Sequence, residues 1–296
     1  MNNCFECPVM CGAQRDNGET GVCGVGAHAF AARAARHYYE EPPISGTRGS
    51  GAIFFEGCNM RCVFCQNHRI SRAGETEGAR PLDESSLADT MLRMQELGAH
   101  NVNLVTPTPH TRLIEKAIPL ARARGLTVPI VWNSNAYERT ETLKRFEGLV
   151  EIYLPDLKYV SPKLAGLYSE RPDYFEYASA AVLEMHRQVG LLETDADGIA
   201  KRGLIIRHLV LPCAVDETRR VLDFISSALP KDTHVSLMSQ YTPIEGMKKP
   251  LDRRITKGEY ERAVDYAISL GLTEVFTQRL SSAESAFTPE FNGFFE

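Results

Sequence analysis

Three cysteines stand within eight residues, at Cys58, Cys62 and Cys65, in a C-x3-C-x2-C spacing. They come directly after the apolar run at 52–55, which has the length and composition of a buried strand. Gly57 precedes the motif and polar residues flank it, so the packing of three thiols in an apolar core explains it poorly. The spacing therefore predicts a loop that leaves a strand and binds a metal centre.

The number of cysteines matters as much as their spacing. A four-iron cluster held by four thiolates is coordinatively closed, whereas three thiolates leave one iron open for a substrate or cofactor. Two alternatives stay open on the residues alone: three cysteines packed in a core, or a zinc site completed by a ligand elsewhere. Structural zinc prefers pairs of close ligands and a fourth protein ligand, so an iron–sulfur site with three cysteines is the favoured interpretation.

The motif, with Phe64 immediately before Cys65, resembles the signature of the radical S-adenosylmethionine (SAM) superfamily. The ending Cys65-Gln66-Asn67, with the glycine before Cys58, further resembles the branch that contains the pyruvate formate-lyase activating enzymes. The resemblance implies a 4Fe–4S cluster on the three cysteines, SAM bound at the open iron, and Phe64 beside the cofactor. It also implies reductive cleavage of SAM to methionine and a 5′-deoxyadenosyl radical, which abstracts hydrogen from a substrate.

The composition is that of an ordinary globular protein, and it excludes some classes of function. With 296 residues, 43% of them hydrophobic, the chain is long enough to bury a full core. A net charge of −5 offers no field that attracts phosphate backbones, so we expect no nucleic-acid partner. The sequence has no apolar run of the roughly 18 residues that cross a membrane, and its start lacks the features of a secretory signal. We therefore expect a cytoplasmic protein without a membrane partner.

A second group of cysteines lies near the amino terminus, at Cys4, Cys7, Cys11 and Cys23. Four thiols are enough to close a tetrahedral zinc site or to hold a second iron–sulfur cluster. This segment is rich in turns and lacks a periodic apolar pattern, so a metal would hold its shape where a core cannot. It also resembles a cysteine-rich leader carried by some homologues of the activating enzymes. A loop of reduced thiols without metal is the alternative, and a structural metal is preferred over an electron relay.

Short apolar runs alternate with amphipathic stretches from residue 51 onward. The predicted strands cover 52–55, 101–105, 128–132, 151–154, 204–211, 234–238 and 273–277, with helices between them. This alternation predicts parallel βα units, and an open sheet and a barrel both satisfy it. The resemblance favours an α/β fold built as an incomplete (β/α)6 barrel of parallel strands, with a small Cys-rich amino-terminal metal-binding module.

The chain divides into three predicted parts: a cysteine-rich leader at 1–45, a radical SAM partial barrel at 46–280, and an aromatic tail at 281–296. Residues 27–39 are expected to form a short helix, and Pro42 and Pro43 a connector that cannot continue it. The tail contains four phenylalanines, which a disordered segment does not need, so we expect it to pack on the barrel.

The loops at the carboxyl ends of barrel strands build the active site in folds of this kind. Comparison with the activating enzymes implies cofactor contacts at these strand ends, from Thr106, Asn133, Asp156, Lys158 and Arg207. Asp156 and Lys158 match an Asp-x-Lys segment of that family and offer complementary charges to the ammonium and carboxylate groups of SAM. A surface ion pair is the alternative interpretation of these two residues.

Three further polar residues are expected to be structural. His110 belongs to a rigid proline turn, and His208 points to the face of its strand opposite that of Arg207. Cys213 is a lone cysteine, which we expect to pack in the core.

The chain departs from the activating enzymes at two places. The segment after Thr106 lacks their Gly-Gly-Glu sequence, and Gln240-Tyr241 stands where they have Pro-Tyr-His, so either residue is a candidate replacement contact. The resemblance still favours activation of a glycyl-radical enzyme, with a flavodoxin- or ferredoxin-type reductant. The runner-up is a radical SAM enzyme that acts on another protein, a peptide or a small molecule. An alternative of a different class is a non-catalytic iron–sulfur or zinc protein, or an electron carrier.

Overall fold

A mostly parallel β-sheet forms the centre of the computed structural model, which describes residues 3–73, 76–280, 291 and 294–295. The strands are β1 (Ala29–His37), β2 (Ser50–Phe55), β3 (Arg80–Leu82), β4 (Val102–Val105), β5 (Ile130–Ser134), β6 (Ile152–Pro155), β7 (Glu193–Thr194), β8 (Ala200–Leu209), β9 (His234–Met238) and β10 (Val275–Thr277). The helices are α1 (Pro42–Ser45), α2 (Glu84–Glu96), α3 (Thr111–Ala123), α4 (Thr140–Lys144), α5 (Pro162–Ser169), α6 (Tyr174–Val189), α7 (Val215–Ala228) and α8 (Lys257–Ser269).

The strands follow one another across the sheet in the order β10-β9-β8-β6-β5-β4-β2-β1-β3. Those from β2 to β10 along this path pair in parallel, while β1, β3 and β7 pair antiparallel with their neighbours. The predicted α/β class with mostly parallel strands is confirmed. The described residues contain seven parallel strands, which correspond to the seven predicted runs; the last of them, β10, pairs with β9 beyond the six strands of the expected barrel.

The two faces of the sheet pack against different partners. Trp132, Tyr153 and Ile206 lie on the outer face, in the main core that the helices cover. Their neighbours Val131, Ile152 and Ile205 point inward and pack with Ile44 of α1. Both faces of these strands are buried, which explains why their sequences are continuously apolar rather than alternating.

The predicted helix at 27–39 is wrong, since residues 29–37 form β1. This strand pairs antiparallel with β2, and its alanines, including the fully buried Ala31 and Ala34, lie between β2 and β3. The edge of β2 needs hydrogen-bond partners, and this tertiary demand outweighs the helix preference of alanine. The division of the chain at residue 45 stays a prediction, although β1 on its amino-terminal side belongs to the barrel sheet.

Pro42 and Pro43 begin a helix rather than a connector. They occupy the first positions of α1, where the missing proline N–H groups cost nothing. The short helix places Ile44 inside the barrel, against Val131, Ile152 and Ile205 of three strands. This segment therefore plugs the end of the barrel opposite the carboxyl ends of the parallel strands.

Helix boundaries follow the capping signals only in part. A capping box begins α8, where the Thr256 side chain accepts from Glu259 N–H and the Glu259 side chain accepts from Thr256 N–H. Asp173 stands directly before α6, but its side chain accepts no hydrogen bond from that helix. Its carboxylate instead accepts the Tyr137 hydroxyl at 2.8 Å, so a tertiary partner has replaced the local one.

The aromatic tail is described at three of its positions. Phe291 is buried and meets the ring of Phe54 at 5.6 Å, and the ring of Phe294 lies 4.2 Å from the guanidinium of Arg80. The rest of the predicted tail, at 281–290, 292–293 and 296, lies outside the described residues. Among the described helices, none combines the length and apolar character that crossing a membrane requires.

Candidate active site

The loop that carries Cys58, Cys62 and Cys65 leaves the carboxyl end of β2, as predicted. Two backbone hydrogen bonds fix its shape against the end of α5. The N–H of Arg61 donates to Ser169 O at 3.3 Å, and the N–H of Val63 donates to Tyr168 O at 2.8 Å. The loop is thus held before any ligand binds.

Gly57 is required at the start of this loop. Its φ angle is +85°, a left-handed conformation that favours glycine. A Cβ atom at this position would lie 2.6 Å from Val25 Cγ2 and 2.8 Å from Cys23 O. The glycine before the motif therefore allows the amino-terminal segment to pack directly on the loop.

The three loop thiols are free, and two of them accept hydrogen bonds from neighbouring side chains. Ser169 Oγ donates to Cys62 Sγ at 3.0 Å, and Asn135 Nδ2 donates to Cys58 Sγ at 3.4 Å. Donors of this kind surround the thiolate ligands of iron–sulfur clusters and tune their potentials. The chemistry and surroundings of these side chains fit a cluster with three cysteine ligands.

Burial makes these thiols poor acids in the absence of a metal. It raises the pKa of Cys58 to about 11 and raises the pKa values of Cys62 and Cys65 as well, while the Lys158 ammonium opposes the increase at all three. A metal centre must displace their protons in order to bind. Loading of the site is therefore expected to release protons and to weaken in acid.

The predicted site residues at the strand ends line one cavity of about 450 Å³ together with the loop. They are Cys58, Cys62, Phe64, Cys65, Thr106, Asn133, Asp156, Lys158 and Arg207. The parallel strands deliver these residues to a common space because their carboxyl ends meet at one edge of the sheet. Their individual contacts to a cofactor stay predictions.

Asp156 and Lys158 form a partly buried ion pair inside this cavity. Lys158 Nζ lies 2.6 Å from Asp156 Oδ2. The Tyr174 hydroxyl accepts a hydrogen bond from the N–H of Lys158 and donates one to the carbonyl of Asp156. Burial works against the charge of Lys158, but the Asp156 carboxylate outweighs it and raises the pKa of the lysine. The pair therefore carries both charges in the space beside the loop thiols, and a surface ion pair is not what the structure shows.

Arg207 points into the cavity, but two glutamates already hold its guanidinium. Its Nε lies 2.8 Å from Glu41 Oε1, and its Nη2 contacts both Glu40 and Glu41. Burial lowers the pKa of Arg207, and the two carboxylates more than compensate and raise it. Nη1 lies 3.5 Å from Asn133 Oδ1, a long contact that a ligand can replace.

Sequence reasoning missed Glu40 and Glu41. They precede the Pro42-Pro43 pair, and the side chain of Glu40 also accepts from Asn103 Nδ2 at 2.8 Å. An acidic pair in a turn usually indicates a solvated surface, so only the antiparallel β1 and the plug α1 reveal that both carboxylates lie inside the barrel. The one indication in the sequence was Arg207, because an arginine on a buried strand needs an acidic partner inside the protein.

Phe64 and Thr106 occupy constrained positions beside the cavity. The ring of Phe64 meets the rings of Tyr159, Tyr168 and Tyr241 edge-on at 6.3 to 6.4 Å. Thr106 has a φ angle of +62°, and its N–H donates to Asn133 O at 2.9 Å. A threonine with a positive φ angle is strained, and such strain concentrates at functional sites.

The two candidate replacements for the family histidine differ in position. Gln240 lines the cavity, and its carbonyl accepts Gln66 Nε2 at 2.9 Å from the cysteine loop. The hydroxyl of Tyr241 donates to Leu251 O at 2.6 Å, so its polar end is occupied away from the cavity. The geometry thus favours Gln240 over Tyr241.

Two of the three residues expected to be structural are confirmed. His110 stacks on Phe55, and His208 is buried between Leu157 O at 2.7 Å and Thr218 Oγ1 at 2.9 Å. Burial lowers the pKa of each histidine to about 4, so both are neutral at pH 7. The expected packing of Cys213 is wrong, because it is exposed in a turn with a φ angle of +58°.

The amino-terminal thiols, Cys4, Cys7, Cys11 and Cys23, are gathered beside the loop. Arg15 Nη2 donates to Cys23 Sγ at 3.1 Å, and the N–H of Cys58 donates to Cys23 O at 3.2 Å. Within the described part of the chain, no three His, Cys, Asp or Glu side chains are arranged to hold a single metal ion. A four-iron cluster differs from such a site because it takes each thiolate at a separate iron atom.

Comparison with known proteins gives a relative that matches most of the chain and a family that matches its central part. An uncharacterised protein of Methanocaldococcus jannaschii is 30% identical over 285 residues, which cover 93% of this chain and 77% of the relative. The family model of the radical SAM superfamily matches residues 52–190, a range that begins within β2 and includes the cysteine loop and strands β3 to β6.

Solved structures match the fold at low sequence identity. SuiB of Streptococcus suis, bound to its precursor peptide SuiA, has a TM-score of 0.52 and 13% identity over 75% of this chain and 46% of its own. The protein anSMEcpe with bound AdoMet has a TM-score of 0.50 and 12% identity over 74% of this chain and 61% of its own. The matched part is thus less than two thirds of each of these longer proteins, and the likeness is one of fold.

Proposed function

The chain belongs to the radical SAM superfamily. From that premise we propose that it is an enzyme in which Cys58, Cys62 and Cys65 hold a 4Fe–4S cluster that reductively cleaves SAM. The observation that carries this proposal is the shared cavity, in which three free thiols face an ion pair of Asp156 and Lys158. When bound, the cluster supplies one electron to the sulfonium of SAM, which yields methionine and a carbon radical that abstracts hydrogen.

The charged pair is suited to orient the amino acid part of SAM. The Asp156 carboxylate would accept from its ammonium group, and the Lys158 ammonium would donate to its carboxylate. Both side chains already carry their charges in the partly buried pair, so binding exchanges one ion pair for two. Such an exchange avoids the cost of burying an unpaired charge.

The barrel keeps water from the reacting atoms. Ile44 and the paired Glu40, Glu41 and Arg207 close the cavity at the plugged end of the barrel. The cysteine loop lies at the other end, where the strands deliver the remaining site residues. A reactive radical needs this shielding because water and oxygen would otherwise quench it.

Activation of a glycyl-radical enzyme is the substrate class that we propose first. It is supported by the likeness of Cys65-Gln66-Asn67 and of Asp156-x-Lys158 to the activating enzymes. A flavodoxin- or ferredoxin-type protein would supply the electron, and the reaction would take place in the cytoplasm. Another protein, a peptide or a small molecule is the second substrate class, because the segments that replace Gly-Gly-Glu and Pro-Tyr-His alter the walls of the cavity.

The first experiment measures 5′-deoxyadenosine formed from SAM by the anaerobically reconstituted protein and dithionite. We expect product from the wild type and from Cys213→Ser, which changes an exposed cysteine outside both groups, and none from Cys62→Ser. Wild-type protein with a full iron content and no product would contradict the proposed function.

The second experiment tests the substrate class. The reconstituted enzyme, SAM and a reductant are mixed with a candidate glycyl-radical protein. The electron paramagnetic resonance (EPR) spectrum of that partner protein is then recorded. A glycyl radical signal on that protein, absent with Cys62→Ser, is the expected result. Formation of 5′-deoxyadenosine without a signal on any such partner would favour the second substrate class.

A further inference from the structure

We propose that Cys4, Cys7, Cys11 and Cys23 bind an iron–sulfur cluster that passes electrons to the cluster on the Cys58–Cys65 loop. This inference rests on the proposed function, since it needs a loop cluster that must be reduced. It replaces the structural metal that the sequence favours with a redox role. The contacts between the two groups of cysteines carry the inference.

Two contacts join the ligand residues of one group to those of the other. The N–H of Cys58 donates to the carbonyl of Cys23 at 3.2 Å, so a single hydrogen bond connects a cysteine of each group. Asn59 lies beside both groups: burial raises the pKa of the Cys7 thiol and the Asn59 side chain partly offsets that increase, while Asn59 Oδ1 lies 4.0 Å from Cys58 Sγ. Gly57 permits this approach, because any larger residue would strike Cys23 O.

The amino-terminal segment is attached to the barrel by side chains rather than by a metal alone. The buried carboxylate of Glu6 accepts from Thr111 Oγ1 and Arg112 Nε, both at 2.9 Å, and from Arg145 Nη1 at 2.7 Å. Arg139 Nη1 also donates to the carbonyl of Phe5 at 2.7 Å. A zinc ion is therefore not needed to place the segment, and what the thiols add at this position is proximity to the loop.

Arg15 and Gly21 shape the space around two of the thiols. Arg15 Nη2 donates to Cys23 Sγ at 3.1 Å while Nη1 donates to Pro109 O at 2.7 Å, which fixes the guanidinium. A Cβ at Gly21 would lie 3.2 Å from Cys23 Sγ and 3.4 Å from Cys11 Sγ. A cation that donates to a ligand sulfur stabilises the more negative, reduced state of a cluster. Arg15 is thus placed to raise the reduction potential of this centre.

The amino-terminal group lies near the protein surface. Phe5, Met10 and Val22, each next to one of its cysteines, are 44%, 49% and 43% exposed. The loop thiols line the cavity, and Val63 beside Cys62 is 44% exposed as well. In the proposed relay, one electron from a flavodoxin- or ferredoxin-class reductant would reduce the amino-terminal cluster. That cluster is reoxidised as the loop cluster is reduced, and no bond is made or broken in this step.

Metal analysis tests the identity of the centre. The triple variant Cys58→Ser, Cys62→Ser, Cys65→Ser is reconstituted anaerobically, and its iron, sulfide and zinc are counted beside those of wild type and Cys213→Ser. We expect about four irons and four sulfides in the triple variant and twice that number in the two controls. Bound zinc, or no metal in folded triple variant, would overturn the inference.

EPR spectra of the reduced proteins test the electronic connection. Two nearby paramagnetic clusters interact, so the wild-type spectrum is expected to differ from the sum of two spectra, one from the triple variant and one from protein with Cys4, Cys7, Cys11 and Cys23 changed to serine. A wild-type spectrum equal to that sum would overturn the relay.

A third variant keeps every cysteine and so avoids a failure to fold. Arg15→Gln is expected to shift the reduction potential of the amino-terminal cluster to a more negative value and to leave the potential of the loop cluster unchanged. Equal potentials in wild type and Arg15→Gln would contradict the role of Arg15. None of these measurements needs SAM cleavage, so loss of 5′-deoxyadenosine formation would count against the proposed function and not against this inference.

Discussion

Before any ligand binds, the charged side chains in the cavity are neutralised by specific ion pairs. Lys158 is balanced by Asp156, whereas Arg207 is balanced by both Glu40 and Glu41. Removing one partner from such a buried group leaves an uncompensated charge, which costs more than the intact pair contributes. The two groups are expected to respond differently to mutation, because the first lies beside the loop thiols in the cavity, where we propose that SAM binds, and the second holds the plug to the barrel.

Arg207→Met should destabilise the protein strongly. It leaves Glu40 and Glu41 buried without their cation, and we expect the free energy of unfolding to fall by about 3–5 kcal/mol. Adding Glu40→Gln and Glu41→Gln should restore part of this loss, because the charges are then removed together. Denaturant unfolding of the three proteins measures both effects, and an unchanged midpoint in Arg207→Met would show that the guanidinium does not hold the plug.

Lys158→Met should weaken SAM binding without unfolding the barrel. The loss of a charge-assisted hydrogen bond costs about 1.5–3 kcal/mol, which corresponds to a roughly ten- to hundredfold higher Kd. Equilibrium dialysis of SAM against reconstituted protein measures it. Lys163→Met, which changes an exposed lysine of α5, is the matched control. Equal Kd values for the two variants would remove Lys158 from the binding site.

At the scale of elements, α1 is the part whose role depends most on tertiary structure. This four-residue helix places Ile44 among the inward residues of β5, β6 and β8. A helix so short has no stability of its own, so packing must supply it. The plug therefore forms only together with the barrel.

Ile44→Ala tests the packing of the plug. Deleting buried methyl groups at a fully enclosed site costs about 2–5 kcal/mol, and we expect a loss in this range by denaturant unfolding. Ile268→Ala on α8, where the side chain is 64% exposed, should change stability by no more than about 0.5 kcal/mol. Similar effects at the two positions would mean that α1 does not close the barrel.

The packing of β8 against α7 predicts a dependence of stability on pH. Burial lowers the folded pKa of His208 to about 4 from an ordinary 6.5, so between these values the unfolded chain binds a proton that the folded protein does not. Stability must therefore fall as the pH decreases from 6.5 towards 4, by at most about 3 kcal/mol from this residue. His208→Gln should show a shallower decline over this window, and an equal slope in both proteins would contradict the buried neutral histidine.

The sequence predicts those elements whose pattern is local. The strand at His234–Met238 coincides with its prediction, and β2, β4 and β6 each lie within two residues of theirs. The strand β1 could not be predicted, because its alanine-rich sequence favours a helix and only the open edge of β2 makes it a strand.

The candidate site was predictable where one motif supplies several residues. The spacing of Cys58, Cys62 and Cys65 and the Asp156-x-Lys158 segment are both visible in the sequence, and the structure brings them into one cavity. Glu40 and Glu41 were not predictable as cavity residues, because their burial follows from β1 and α1, which pattern reasoning assigned differently. Errors in the elements thus became errors in the site.

At the scale of the whole molecule, the amino-terminal cysteines and the barrel form one connected structure. Glu6 bonds to side chains of α3 and to Arg145 beyond α4, Cys23 bonds to the loop after β2, and β1 continues the sheet. Radical chemistry needs a cluster shielded from solvent and an electron supply from outside. The loop thiols line the cavity, and in the proposed relay the amino-terminal cysteines would supply the electron.

The central claim, that three thiolates hold an open cluster that binds SAM, is tested most directly by the EPR spectrum of the reduced loop cluster. Protein with Cys4, Cys7, Cys11 and Cys23 changed to serine keeps this site alone, and its spectrum is recorded with and without SAM. We expect SAM to change the g-values of the cluster, because the open iron gains new ligands. An unchanged spectrum in protein with about four irons per chain and saturating SAM would contradict the account.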